Sequence, residues 1–290
     1  MRTAHPNRPF SLLLGIGLMV VLLMGAAAYR AVLAGCPHSS DMSFNCLFSP
    51  THTDIGVHLI SYSFVALIFP LVVAGLVMWR RQRNRSLSLV NNLEITKTPE
   101  PKVDTLLLRL GLKDKVSILD STGSLSFCAG FLSPHIYISQ AIVNNFTLEQ
   151  LEALLLHEKQ HLDNYDPMKT FTSRLFAAIL FFIPCLQDLL DCYLVEKEIA
   201  ADQKAVRIQG HNRGIAGALN MLLQKNFSLP NTAWTVGGSD SLEYRIESLS
   251  GTLPSKSFHL SPYHLIVSLF IIITLLILSV SPFSSSHPAI

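Results

Sequence analysis

Residues 147–166 read TLEQLEALLLHEKQHLDNYD, and the rest of the chain is arranged around this segment. Thr147 and Gln150 have the spacing of a capping box, in which two side chains satisfy each other's backbone N–H groups at a helix start. An apolar stripe follows at helical spacing, formed by Leu148, Leu151, Leu154 and Leu155. The segment therefore predicts an amphipathic helix that begins after Thr147.

Two histidines on this helix could bind one metal ion. His157 and His161 are four residues apart, about 400° of rotation, so both imidazoles leave the same helix face one turn apart. Glu158 follows His157 and can contact a water on that metal without being a ligand. This is the His-Glu-x-x-His pattern of zinc peptidases, with Glu158 as the catalytic base.

A third ligand is expected further along the chain. Asn164 and Pro167 stand where the metzincin pattern needs Gly and His, which excludes that class. In the segment EKEIAADQKA, Glu198 and Asp202 are four residues apart on a second predicted helix. Glu198 would complete a His₂Glu set with an open position for water, and Asp202 could orient a ligand histidine. Glu196 is the rival ligand, but its offset from Asp202 is not a helical one, so Glu198 is preferred.

The composition indicates a membrane protein. The chain has 290 residues, of which 49% are hydrophobic and only 14% are charged, and its mean hydropathy is +0.39. These values are too apolar and too poor in charge for an ordinary soluble enzyme. The net charge of +2 does not indicate nucleic-acid binding, and no nucleic-acid partner is predicted.

Three apolar runs predict transmembrane helices, within residues 1–35, 55–79 and 260–281. The second run is followed by a basic cluster of Arg80, Arg81, Arg83 and Arg85. Such a cluster is retained on the cytoplasmic side, which places the N-terminus and the domain 86–255 in the cytosol. The loop 36–54 and the C-terminus would then be external. We expect a multi-pass protein of a bacterial inner (cytoplasmic) membrane, with the lipid bilayer as a partner.

The external loop contains Cys36 and Cys46. These two cysteines could form a disulfide, because the compartment outside the cytoplasmic membrane is oxidising. The residues Leu33-Ala34-Gly35-Cys36 also match a lipoprotein cleavage box, so lipidation of Cys36 is the alternative. Arg30 interrupts the apolar run just before this box, which argues against cleavage.

The cytosolic domain is predicted to be α+β and mostly helical, with a small sheet. The hydrophobic segment 171–193 is predicted to be one helix lying against or dipping into the membrane, because its uninterrupted apolar part is too short to span. The strand His135–Ser139 is the candidate free edge for binding substrate by β-augmentation. The other predicted elements are helices at 104–112, 210–226 and 241–249 and strands at 116–119 and 125–128.

Several ordered motifs resemble the BlaR/MecR family of integral-membrane zinc metallopeptidases. They are AGFLSPHIYIS, LEALLLHEKQH with Asp166 five residues after His161, and EIAAD, and the resemblance covers roughly residues 100–250. It implies a gluzincin-like cytosolic domain between transmembrane helices, with one Zn²⁺ per chain on His157, His161 and Glu198. Glu158 matches the catalytic base. Asp166 and Asp202 would support the ligand histidines.

The resemblance also implies partners. The substrate would be a protein or peptide, with regulatory cleavage of a repressor as one expectation and a separate sensor or repressor protein as a further partner. Family sensors carry an extracellular penicillin-binding domain after the last span, whereas this sequence ends shortly after it, so β-lactam sensing is not expected.

Three residues are candidate transition-state stabilisers: His211, Tyr244 and Arg245. The alternative function is a non-proteolytic signalling or scaffold protein with a structural metal site, which a fourth protein ligand would favour.

Overall fold

A computed structural model describes residues 4–34, 73, 75–77, 80, 84, 101–121, 123, 125–224, 239–251 and 260–280. The helices are α1 (Asn7–Ala34), α2 (Pro101–Leu110), α3 (Gln140–Asn145), α4 (Leu148–Asp163), α5 (Asp166–Ile179), α6 (Pro184–Gln209), α7 (Arg213–Gln224), α8 (Ser239–Ser250) and α9 (Pro262–Val280). The strands are β1 (Val116–Leu119), β2 (Ser126–Ala129) and β3 (His135–Ser139). This mostly helical chain with a small sheet confirms the predicted α+β class, while the gluzincin-like fold stays a prediction.

The helix that carries the histidine pair begins as the sequence predicts. The Gln150 backbone N–H donates to Thr147 Oγ1 at 3.3 Å, and the Thr147 backbone N–H donates to Gln150 Oε1 at 3.0 Å. Both halves of the capping box are therefore present at the start of α4. The helix ends at Asp163, and Tyr165 takes a left-handed backbone conformation, with φ of 54°, before α5 begins at Asp166.

The three strands form one sheet in the order β1-β3-β2. β3 pairs in parallel with β1, with Val116 opposite Ile136, and antiparallel with β2, with Cys128 opposite Ile136. β3 is thus the central strand, and both of its edges are already hydrogen-bonded. The prediction that His135–Ser139 is a free edge for substrate is wrong, because the sequence does not reveal strand order.

The hydrophobic segment 171–193 is divided between two helices. α5 ends at Ile179, residues 180–183 turn the chain, and α6 begins with Pro184 in its first turn. Proline is tolerated there because the first helical N–H groups have no intrahelical acceptor, whereas inside a helix its ring clashes with the preceding turn. The prediction of one continuous helix is corrected to a helical hairpin, and its second helix continues through Glu198.

Two hydrophobic clusters organise the chain. The first packs the sheet, α2, α3, α4 and α7 around side chains such as Leu155, Ile136 and Ile138, none of which is exposed. The second packs α1, α5, α6 and α9 around side chains such as Leu13, Leu186 and Tyr193. Because α4 packs against α6, the two clusters meet along these two helices.

One described helix is long and apolar enough to cross a membrane, namely residues Asn7–Ala27 of α1. Residues Pro262–Ile277 of α9 form a shorter apolar helix. The predicted loop 36–54, with Cys36 and Cys46, lies outside the described residues. So does the predicted second span, 55–79, apart from residues 73 and 75–77. Three crossings therefore remain a prediction.

Candidate metal centre

The structure brings the three predicted ligands together between α4 and α6. His157 and His161 on α4 and Glu198 on α6 are all buried, with no more than 6% of any residue exposed. The two Nε2 atoms are 3.1 Å apart. Glu198 Oε2 lies 3.4 Å from Nε2 of His157, and Glu198 Oε1 lies 3.7 Å from Nε2 of His161.

These separations fit a small tetrahedral ion. Zinc bonds nitrogen and oxygen ligands at about 2.0–2.1 Å in tetrahedral geometry, which puts neighbouring ligand atoms about 3.3 Å apart. The three separations in this cluster, 3.1, 3.4 and 3.7 Å, lie around that value. Two imidazoles and one carboxylate are also the donor types of catalytic zinc sites.

Each histidine is oriented by an aspartate on its other ring nitrogen. His157 Nδ1 lies 2.8 Å from Asp202 Oδ1, and His161 Nδ1 lies 2.7 Å from Asp166 Oδ2. A proton on each Nδ1 would donate to these carboxylates and leave the Nε2 lone pair directed at the centre. Tyr193 anchors the second aspartate, because its hydroxyl donates to Asp166 Oδ1 at 3.2 Å.

Arg245 on α8 holds the first aspartate in place. Its Nε donates to Asp202 Oδ2 at 2.7 Å and its Nη2 donates to Asp202 Oδ1 at 2.8 Å. Its remaining terminal nitrogen, Nη1, lies 3.7 Å from Glu198 Oε2. The structure therefore makes Arg245 a support for Asp202, whereas the sequence predicted it only as a candidate transition-state stabiliser.

The two carboxylate oxygens of Glu158 have different surroundings. Oε1 accepts a 2.8 Å hydrogen bond from the hydroxyl of Ser126 on β2. Oε2 is buried and has no hydrogen-bond partner among the described residues. One oxygen thus fixes the side chain, and the other keeps its lone pairs for a proton. Ser126 was not predicted, since no local pattern links a strand serine to a glutamate 32 residues later.

The buried charges around the centre do not balance. Among the described residues, the ligand cluster and its hydrogen-bonding neighbours include four carboxylates, on Glu158, Asp166, Glu198 and Asp202, and two cations, Lys197 and Arg245; all except Arg245 belong to buried residues. Lys197, whose Nζ lies 3.3 Å from Glu198 Oε1, was not anticipated from the sequence. With neutral histidines, two negative charges are in excess, which a divalent cation would neutralise.

The pKa values of the site report the same excess. Burial opposes a charged imidazole, but Glu198 and Asp166 outweigh it and raise the pKa of His161 to about 10. The pKa of His157 is also raised, because Asp202 and Glu198 outweigh burial. Burial would raise the pKa of Glu198, yet Lys197 and His161 hold it well below its usual range. The centre therefore attracts positive charge, as protons or as a metal ion.

Two of the remaining candidates, His211 and Glu196, contact residues outside the ligand cluster. Nδ1 of His211 lies 3.6 Å from a carboxylate oxygen of Glu149, in the first turn of α4, about two turns before His157. Glu196, the rival third ligand, accepts a 2.9 Å hydrogen bond from the backbone N–H of His5. Tyr244 is half-buried beside Arg245 on α8, and its role as a stabiliser stays a prediction.

Comparison with known proteins agrees with this arrangement. No curated protein was found to match the chain. A family model described as BlaR1 peptidase M56 matches residues 21–249, which is more than half of the 290 residues and includes α4, α6 and α8. Since the match contains the whole candidate metal centre, the chain belongs to the BlaR1 peptidase M56 family of membrane-associated metallopeptidases.

Proposed function

We propose that the protein is an integral-membrane zinc endopeptidase that hydrolyses cytosolic or membrane-proximal proteins. One observation carries this proposal: three ligand atoms converge in a buried cluster, and Glu158, the residue after the first ligand histidine, has one buried oxygen with no hydrogen-bond partner among the described residues. His157, His161 and Glu198 would hold the zinc, and Glu158 would act as the base. Regulatory cleavage of a repressor, with a separate sensor protein, is the biological role that the family suggests.

The chain's own residues supply the proton transfers. Zinc bound at this centre would lower the pKa of its water to about 7. Glu158 Oε2 would accept the proton of a water attacking a peptide carbonyl and pass it to the leaving amine. Ser126 would keep the carboxylate in one orientation during both transfers, while Asp202 and Asp166 hold the histidines.

The outer surfaces of α1 and α9 support the proposal that the protein is embedded in a membrane. Large apolar side chains point away from the protein on α1, including Leu18 and Leu22, and on α9, including Ile266 and Phe270. Such surfaces are unfavourable in water and are expected against lipid. We propose a multi-pass protein of the inner membrane with its N-terminus and metal centre in the cytosol and its C-terminus outside.

A structural metal site in a scaffold protein is the alternative. Structural zinc sites are normally closed by four protein ligands. Within the described part of the chain, the ligand group contains His157, His161 and Glu198, and Glu158 points one oxygen to Ser126 instead. Three ligands and an adjacent base favour a catalytic site.

Zinc content and peptide hydrolysis of the detergent-purified protein test the proposal. We expect the wild type and Glu158→Ala each to contain about one zinc per chain. The wild type should hydrolyse unstructured peptides, and Glu158→Ala should not. Glu198→Ala should lose both zinc and activity. Glu196→Ala, which removes a carboxylate on the same helix that faces His5, is the matched control and should keep both. Retained activity in Glu158→Ala would refute the role of the base.

A further inference from the structure

Residues at the N-terminus, on α4 and on α6 together line a half-open cavity. Its volume is about 320 Å³. It is formed where residues 4–8 cross the two helices, and the Ala4 backbone N–H donates to Gln203 Oε1 at 3.1 Å. The lining residues are Ala4, His5, Pro6, Asn7, Arg8, Gln160, Asn164, Ala200, Gln203, Lys204 and Arg207.

The cavity is basic. Arg8, Lys204 and Arg207 give it three permanent positive charges, and no carboxylate is among its lining residues. Glu196 is not a lining residue, and its Oε2 accepts a 2.9 Å hydrogen bond from the His5 backbone N–H. The lining also includes four amide side chains, those of Asn7, Gln160, Asn164 and Gln203, and amides donate hydrogen bonds to phosphate oxygens. These features suit a phosphate-bearing anion.

The position of the cavity relative to the bilayer points to a lipid as the source of that anion. The apolar part of α1 begins at Asn7, and Asn7 and Arg8 line the cavity. If α1 crosses the bilayer, as in the proposed function, its polar end lies at the level of the lipid phosphates on the cytosolic side. Basic pockets at this level are suited to the headgroups of anionic lipids.

We propose that this cavity binds the phosphate group of an anionic phospholipid headgroup and clamps the N-terminal segment onto the two helices of the metal centre. Arg8 would hold the phosphate from the first turn of α1, and Lys204 and Arg207 would hold it from α6. Gln160 immediately precedes His161, and Gln203 immediately follows Asp202. A bound headgroup therefore steadies the turns that carry a ligand and a supporting aspartate.

A lipid titration tests the site without relying on peptide hydrolysis. The full-length protein in nonionic detergent is titrated with short-chain phosphatidylglycerol, with short-chain phosphatidylcholine or with inorganic phosphate, and its thermal unfolding is followed. Phosphatidylglycerol should raise the Tm of the wild type in a saturable way, because a ligand that binds only the folded state stabilises it. Phosphatidylcholine, whose headgroup has no net charge, should not.

Lys204→Gln/Arg207→Gln removes two of the three cations. The concentration of phosphatidylglycerol at half-maximal shift should rise about 30-fold, given about a fivefold contribution from each basic residue. Lys102→Gln/Lys113→Gln is the matched control, since it removes the same charge from exposed positions outside the cavity and should leave this concentration unchanged. Lys204→Arg/Arg207→Lys keeps the charge and should retain binding, which separates loss of charge from misfolding.

The outcomes are distinct. Equal shifts in the wild type and in Lys204→Gln/Arg207→Gln, or no shift in the wild type, would overturn the site. A wild-type shift of the same size with inorganic phosphate, lost in that variant, would retain an anion site but overturn the lipid as its occupant. Zinc content is measured in parallel, so a failure of the proposed metal centre is seen separately from a failure of lipid binding.

Discussion

At the scale of single residues, the most informative side chain is Glu158. Its oxygens are unequal, because Ser126 donates to Oε1 while Oε2 has no described hydrogen-bond partner. A base that must accept and return a proton benefits from one fixed orientation, since a rotated carboxylate would present the wrong lone pair. We therefore propose that Ser126 is a positioning residue for Glu158, and its hydrogen bond links β2 to α4.

We predict that Ser126→Ala lowers kcat/KM by about tenfold, the order expected for a lost hydrogen bond to a charged group. Zinc content should stay at the wild-type value, because Ser126 contacts no ligand residue among its described hydrogen bonds. Steady-state kinetics and metal analysis of the purified variant measure the two effects. Ser133→Ala, on the exposed turn before β3, is the control and should match the wild type. An Ser126→Ala enzyme of unchanged kcat/KM would refute the positioning role.

The pKa of His161 predicts how zinc and pH act together. In the metal-free protein this pKa is raised from 6.5 to about 10, so the protonated imidazole stabilises the folded state fully below pH 6.5. That stabilisation is lost as the pH rises toward 10. We therefore expect the Tm of chelator-treated protein to fall between pH 6.5 and 9, and the increase in Tm caused by zinc to grow over the same range.

Differential scanning fluorimetry of zinc-loaded and chelator-treated protein measures this effect. Glu198→Ala serves as the control, because zinc should not raise its Tm at any pH in this range. An increase in Tm that is the same at every pH would contradict the coupling between the proton on His161 and the metal.

At the scale of elements, α6 connects the second hydrophobic cluster, formed by α1, α5, α6 and α9, with the candidate metal centre. Tyr193, Glu198 and Asp202 all lie on it, and α1 packs against both α6 and α5. The Tyr193 ring lies 5.6 Å from that of Phe10 on α1, while its hydroxyl donates to Asp166. Tyr193 therefore contacts both α1, through Phe10, and Asp166, the aspartate that is hydrogen-bonded to His161.

The close approach of α1 to α5 depends on a glycine. A Cβ added at Gly17 would overlap Cδ1 of the Phe176 ring, whereas a Cβ added at Gly15 would meet nothing within 4 Å. We predict that Gly17→Ala destabilises the protein by about 1–3 kcal/mol, the usual cost of overpacking, while Gly15→Ala does not. Thermal unfolding in detergent measures the difference.

A compensating change sharpens this prediction. Phe176→Leu should recover part of the lost stability when combined with Gly17→Ala, because it removes the ring atoms that the new methyl group meets. Equal Tm values for Gly15→Ala and Gly17→Ala would show that the two helices do not approach this closely.

At the scale of the whole molecule, the described residues form a core around the sheet and a helical cluster with exposed apolar side chains, joined along α4 and α6. The metal centre lies at this junction.

The proposed topology predicts where exported reporters are active. Alkaline phosphatase, which is active only outside the cytosol, should be active when fused after Ile290 and inactive when fused after Gly251. A cytosolic reporter such as β-galactosidase at the same two positions should give the opposite pattern. Active phosphatase after Gly251 would place the metal centre outside and overturn the proposed orientation.

The sequence by itself determined the features that depend on local spacing. The capping box at Thr147, the histidine pair on one helix face and the Glu198–Asp202 spacing each lie within one helix, where the 3.6-residue period predicts which side chains are neighbours. The three short strands are likewise indicated by turn residues around them. The resemblance to the family likewise rests on short motifs, each of which lies within one local segment.

Only the tertiary structure decided the arrangements that join distant segments. It placed β3 in the centre of the sheet, Ser126 on Glu158, Arg245 on Asp202, Glu196 on His5 and His211 beside Glu149. No local period predicts such pairs, because they depend on strand order and on which faces of packed helices meet. The excess of negative charge at the metal centre has the same origin, since it arises only when four carboxylates and two cations from separate elements are buried together.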